Sequence, residues 1–128
     1  MQASDDVTQA LLRFYELRTA ADAATYDEIV SADQLVMVGT APDEWFEDRE
    51  QLRGHFANPG LKIERGDVRG FAEGDVGWAV DTPTLMMGDV RLSTRLTAVF
   101  HHENGAWKVA HLHFSVAVPD DQAVALQR

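Results

Sequence analysis

Glu103-Asn104-Gly105, followed by Trp107-Lys108-Val109-Ala110-His111-Leu112-His113-Phe114-Ser115-Val116, is the stretch on which the fold of this chain turns. Two β-rich runs, together spanning Leu92 to Val118, meet at the Asn-Gly, the strongest turn signal in the sequence. Were Asn104-Gly105 a two-residue turn, even positions of the first strand would pair with odd positions of the second. A three-residue turn, Glu103-Asn104-Gly105 with Gly105 left-handed, pairs like parities instead. The second gives consistent faces and is adopted. The even face then reads Leu92, Thr94, Leu96, Ala98 and Phe100 against Ala110, Leu112, Phe114 and Val116. It is nearly all apolar and belongs against helices. The odd face carries Arg95, Thr97 and Val99 against Trp107, Val109, His111, His113 and Ser115. Its larger apolar members are costly to leave in water, so this face is expected to hold a partner, and homodimerisation is the inference.

Upstream, Ser4 with Asp5 and Asp6 reads as a helix start, a cap followed by acids in the first turn. Val7, Ala10, Leu11, Phe14, Leu17 and Ala21 recur at helical spacing, predicting a helix over 5–20. Asp22 is a cap for a second, shorter helix bearing Tyr26, Ile29 and Val30. A strand over 35–38 and a loop over 39–44 follow, the loop carrying Trp45 and Phe46 at its far end. Asp48 with Gln51 resembles a capping box that opens a helix over 49–57. From Leu61 the period becomes strand-like, with runs near 61–72, 76–87, 90–102 and 106–118. The order α-α-β-α-β-β-β-β predicts an α+β domain in which helices cover one face of an antiparallel meander.

The chain has 128 residues, 45% hydrophobic and 25% charged, as an ordinary single globular domain does. One domain over 1–128 is expected, its core about 5–118 and its tail 119–128. A formal charge of −10 argues against binding nucleic acid or an anionic membrane. Without cysteine there is no disulfide, thiolate or Cys-ligated zinc chemistry. The acidic start and the lack of a long apolar run give a cytoplasmic expectation.

These elements, with Gly39-Thr40, Asp43-Glu44-Trp45-Phe46 and the closing Gly105-Ala106-Trp107-Lys108-Val109-Ala110-His111-Leu112-His113-Phe114-Ser115, resemble the nuclear transport factor 2-like superfamily. Within it they resemble the SnoaL-like branch, small bacterial domains mostly without assigned function, over about residues 5–118. The last strand is also similar to the association domain of calcium/calmodulin-dependent kinase II. The resemblance implies a cone, the cystatin-like roll: a curved antiparallel sheet wrapped around the N-terminal helices, with a cavity at its wide end. It places Phe114 toward that cavity and His113 at a dimer interface. The superfamily hosts isomerases, dehydratases, cyclases and non-catalytic modules alike, so the fold alone names no reaction. In ketosteroid isomerase a carboxylate base acts with a tyrosine and a protonated aspartic acid. Those positions fall on Gly39, Tyr15 and the neighbourhood of Thr97 or Ala98. A glycine abstracts no proton, so that mechanism is not carried over.

Asp43 and Glu44, beside Trp45 at the implied cavity mouth, are the candidate acids or bases, with Tyr15 as a hydrogen-bond donor. His111 and His113 share a strand face at i, i+2. They are read as interface residues rather than as ligands or bases. No metal and no cofactor are expected. The expected cavity lining is Phe14, Tyr15, Trp45, Phe46, Phe56, Leu96, Ala98 and Phe114. The expected dimer interface is Arg95, Thr97, Val109, His111, His113 and Ser115. Such a lining suits a small apolar or aromatic molecule, and a ligand-binding domain is the leading expectation. The alternatives are an isomerase, dehydratase or cyclase acting on a small carbonyl or polyketide-like compound, and a non-catalytic oligomerisation module.

Overall fold

The structure, a computed structural model, describes residues 1–127. Its elements are β1 (Gln2–Ala3), α1 (Asp5–Thr19), α2 (Tyr26–Ile29), β2 (Val36–Val38), β3 (Trp45–Phe46), α3 (Arg49–Phe56), β4 (Leu61–Glu64), β5 (Arg69–Glu73), β6 (Val76–Asp81), β7 (Thr84–Met87), β8 (Val90–Ser93), β9 (Arg95–Glu103), β10 (Ala106–Ser115) and α4 (Asp120–Leu126). The fold class is α+β, as expected, while β1, β3 and α4 are elements beyond those read from the sequence.

The first helix forms where its cap and its apolar spacing place it. Ser4 Oγ accepts the Val7 N–H at 3.2 Å, and Asp5 and Asp6 face the positive end of the helix. Val7, Leu11, Phe14, Tyr15 and Arg18 form its buried face. It stops without a glycine. Ala21 takes the left-handed conformation (φ 52°) instead, and the Asp22 and Ala21 N–H groups return to Leu17 and Arg18 carbonyls at 2.9 and 3.0 Å. Asp22 does not start the second helix. Its carboxylate accepts from Ala24 and Thr25 N–H groups, closing a turn, and α2 begins only at Tyr26.

Seven strands form one sheet in the order β1-β5-β6-β9-β10-β2-β3, and β4-β7-β8 form a second. The described strands pair antiparallel except β10 with β2, which is parallel, and an isolated parallel bridge joins Val30 to Val109. Three of the long runs read from sequence are therefore each two strands, broken at 65–68, at Thr82-Pro83 and at Thr94, where the chain passes between sheets. Asp81, 5% exposed, organises these breaks. Its carboxylate accepts the Tyr15 hydroxyl at 2.8 Å, the Thr82 N–H at 2.8 Å and the Gly66 N–H at 3.1 Å. Pro83, which has no N–H to give a ladder, offers its carbonyl to both the N–H and the hydroxyl of Thr94.

The hairpin closes differently from the expectation. Asn104 and Gly105 both have positive φ (52° and 79°), and Glu103 pairs with Ala106, so the turn has two residues. Opposite parities pair as far as Val109 with Phe100. A bulge at Ala110 then restores like parity, and His111 faces Val99 and Phe114 faces Leu96. Trp107 and Val109 consequently pack on the helix side; Val109 is 1% exposed in the core. Its expected place in a dimer interface is thereby corrected.

The expected tail carries α4, which buries none of its residues. No helix among the described residues is long and apolar enough to cross a membrane.

The Asp81 cluster gives a stability test. Tyr15→Phe, which removes one donor, is expected to cost about 1.5 kcal/mol, whereas Asp81→Ala, which orphans three, costs about 3–5 kcal/mol. Urea unfolding of both variants measures the ratio; equal losses would contradict the role given to Asp81.

Candidate functional site

The C-terminal half of α1, the end of β2, α3, the second sheet and the end of β10 enclose a cavity of about 90 Å³. Its walls are apolar. Phe14 comes from α1, Met37 from β2, Phe46 from β3, Leu52 and Phe56 from α3, Ile63 and Leu85 from the second sheet, and Leu112 and Phe114 from β10. Thr40, which is exposed, marks its mouth.

Three ionisable side chains enter this apolar space: Arg18, Glu44 and His55. Arg18 follows Phe14 by one helical turn, and its guanidinium donates to the Asn58 carbonyl at 2.9 Å. Its carbon lies 6.0 Å from the centre of the Phe56 ring. His55 lies on α3 between Leu52 and Phe56, with its ring 4.8 Å from that of Phe46. Asp48 fixes the start of α3 by accepting the Glu50 and Gln51 N–H groups. Asp27 ties α2 to α3 by pairing with Arg49 and Arg53 at 2.8 and 2.7 Å. Glu44 closes the β2–β3 loop. One of its oxygens accepts the Ala41 N–H at 2.8 Å, and the other lies 3.2 Å from His55 Nε2. Gly39 makes this possible, because a Cβ there would stand 2.7 Å from the Glu44 Cβ. The position where the resemblance puts the isomerase base is thus empty, and the Glu44 carboxylate fills the space beside it.

Burial lowers the His55 pKa from its ordinary value; Glu44 opposes this, Arg18 adds to it and Asp43 opposes it. The imidazole is therefore neutral near pH 7, with a carboxylate to stabilise it once charged. That is the arrangement of a proton acceptor. Burial also lowers the Arg18 pKa, against Glu44, but a guanidinium starts so high that it keeps its charge. Burial first, then the hydrogen bond to Asp81, raises the Tyr15 pKa.

Of the expected lining, Phe14, Phe46, Phe56 and Phe114 are in place, and Tyr15, Trp45, Leu96 and Ala98 are not. Tyr15 is one residue further round the helix than Phe14, and its hydroxyl is spent on Asp81. It is no free donor for a ligand. Trp45 alternates outward from Phe46 and is 60% exposed. Leu96 and Ala98, each 1% exposed, are packed in the core beside the cavity. Asp43 faces solvent, and Glu44 alone of the two acids reaches the cavity. Sequence reasoning passed over Arg18 and gave His55 no role. The signal was present: Arg18 is at i+4 from Phe14 and i+7 from Leu11, and His55 is at i+3 from Leu52, so both interrupt apolar helix faces.

Elsewhere, His111 Nδ1 donates to the Val36 carbonyl at 2.8 Å, which fixes its proton on that nitrogen. Its ring stands 6.4 Å from that of His113 on the outer sheet face. Among the described residues no group of three or more His, Asp or Glu has the arrangement of a metal site. Ser31, Glu103 and His101 form a row, but the Ser31 hydroxyl meets the carboxylate and not the imidazole, so no nucleophile is activated.

A family model described as a SnoaL-like domain matches residues 7–119, and the chain belongs to that family. No curated protein matches it significantly. Solved structures share the fold at low identity. A protein of the NTF2-like family from Streptomyces avermitilis, which carries a provisional dehydratase name, superposes with a TM-score of 0.79 at 20% identity, over 90% of this chain and 96% of that one. An uncharacterised protein with a cystatin-like fold from Caulobacter vibrioides gives 0.71 at 18%, over 96% and 97%. The association domain of C. elegans CaMKII gives 0.71 at 15%, over 87% and 93%.

Proposed function

We propose that the chain binds a small apolar or single-ring aromatic molecule in the cavity between α1, α3 and the end of β10. The observation that carries this is an apolar chamber into which Arg18, Glu44 and His55 converge. Few convergent polar groups in an apolar wall are what orients a ligand. Volume limits its size: an enclosed apolar cavity of about 150 Å³ accepts benzene, and this one has about 90 Å³ but is open at its mouth, so a single ring is held partly inside and partly in the opening. A polycyclic or polyketide-like ligand requires the walls to open.

Titration with phenol, benzaldehyde and benzamide, followed by the methyl resonances of Leu85 and Leu112, tests the reading. Saturable shifts confined to the cavity are expected; no saturable shift with any of the three overturns it. A small methyl ketone in D2O extends the same spectra to catalysis. Exchange of its α-hydrogens that disappears in His55→Gln adds isomerase- or dehydratase-type proton transfer by the His55–Glu44 pair. No exchange above the buffer rate leaves a binding domain.

We further propose a homodimer through the outer face of the large sheet. Trp78, 37% exposed, stacks on Phe71 with ring centres 4.6 Å apart, and Val99 lies in register between Trp78 and His111. Arg95, Thr97, His113 and Ser115 extend this face, and Arg95 bonds Ser115 across the strands at 3.2 Å. The use of the same fold as an association domain in C. elegans CaMKII supports the reading. Sedimentation equilibrium is expected to give a dimer that Val99→Lys converts to a folded monomer; a monomer before mutation contradicts it, and a large ring favours an oligomerisation module.

A further inference from the structure

Of the three ionisable groups in the cavity, Arg18 is the one with no side-chain partner among the described residues. The residue is 7% exposed, yet its recorded acceptor among the described residues is the Asn58 carbonyl, and no carboxylate lies within ion-pair distance of it. The acid nearest in charge, Glu44, is held elsewhere by Ala41 and His55. A guanidinium has five N–H donors in a planar fork, so one carbonyl leaves most of them unused. Glu44 acts on this charge only through space, and no guanidinium nitrogen is both fully buried and unpartnered; the donors that Asn58 does not use therefore open onto the cavity, where the anion of a ligand would meet them.

We propose that the cavity's ligand is a small monocarboxylate, its carboxylate pairing with Arg18 while a short apolar or single-ring body lies against Phe14, Phe56, Leu112 and Phe114. This rests on the cavity being a binding site, and it names what is bound. A planar carboxylate matches a single guanidinium edge in two parallel hydrogen bonds. A phosphate carries more charge and more acceptors than one arginine can meet, and Glu44 would face the excess.

The site also couples binding to a proton. In the free protein His55 is kept neutral by burial; the charged groups facing it are Glu44 and Asp43 from the β2–β3 loop and Arg18 from α1. A bound carboxylate adds a negative charge, which favours the imidazolium, so binding takes up a proton. Affinity therefore rises as pH falls through the range in which His55, held by burial below the ordinary histidine value, takes up its proton, provided the ligand stays ionised there.

Calorimetric titration of the intact protein with benzoate and butyrate, against benzamide and butyramide, tests this at fixed ionic strength. Carboxylates are expected to bind at least about tenfold tighter than their amides, with proton uptake that flattens in His55→Gln and a preference that vanishes in Arg18→Met. Comparing acid with amide on the unaltered protein needs no variant to fold. Equal affinity for acid and amide overturns the carboxylate assignment and leaves the binding reading standing, with Arg18 serving only to hold Asn58. Failure of both series to bind at about 10 mM overturns the two together.

Discussion

Between Val109 and His111 the last strand carries one residue more than its partner, and which side chains of the closing hairpin face the core follows from it. Near the turn, opposite parities pair, which sends Trp107 and Val109 inward with Phe100. Beyond Ala110, like parities pair, which sends Leu112 and Phe114 inward with Ala98 and Leu96. A strand has period two, so without the extra residue one of these sets would face water. The bulge lets a long strand bury apolar residues of both parities. It also presents His111 and His113 outward, away from the cavity.

A second constraint acts on the opposite side of the cone. The runs that contain β6 and β9 change sheets at Thr82-Pro83 and Thr94, and Asp81 holds the first corner by taking the Tyr15 hydroxyl and two backbone N–H groups. That bond ties α1 to the bend, and the position of α1 in turn sets Phe14 and Arg18 at the cavity. The residue that resembles a catalytic tyrosine thus does structural work one step from the site. The ionisable groups that do line the cavity beside Arg18, namely Glu44 and His55, come from the β2–β3 loop and from α3.

Much of this was legible in the sequence, for identifiable reasons. Ser4, Asp48 and the Asn104-Gly105 turn are short-range signals with local chemistry, and each marks its element within a residue or two. Phe14, Phe46, Phe56 and Phe114 were assigned from periodicity and from the family resemblance together. The bulge was not legible, because Ala110 has nothing that distinguishes it from an ordinary strand residue. A three-residue turn mimics its effect on the distal half of the hairpin, so the wrong turn gave the right faces beyond His111 and the wrong ones at Trp107 and Val109. Arg18 and His55 receive no role from the sequence for a different reason: a charged side chain on a helix carries no signal of its own, and only their spacing from Phe14 and Leu52 puts them inside.

The cavity holds the Arg18 cation beside the Glu44 carboxylate, inside a chain whose formal charge is −10. The surrounding field disfavours anions at long range, so any anion that binds is selected by close contact and not by steering. This makes occupancy of the cavity the central question, and a crystal structure of the protein as purified answers it most directly. The account predicts an open cavity bounded by Phe14, Phe56, Leu112 and Phe114, with density for a ligand or ordered water on the Arg18 guanidinium. A cavity filled by its own side chains, with Arg18 paired to Glu44, would contradict it.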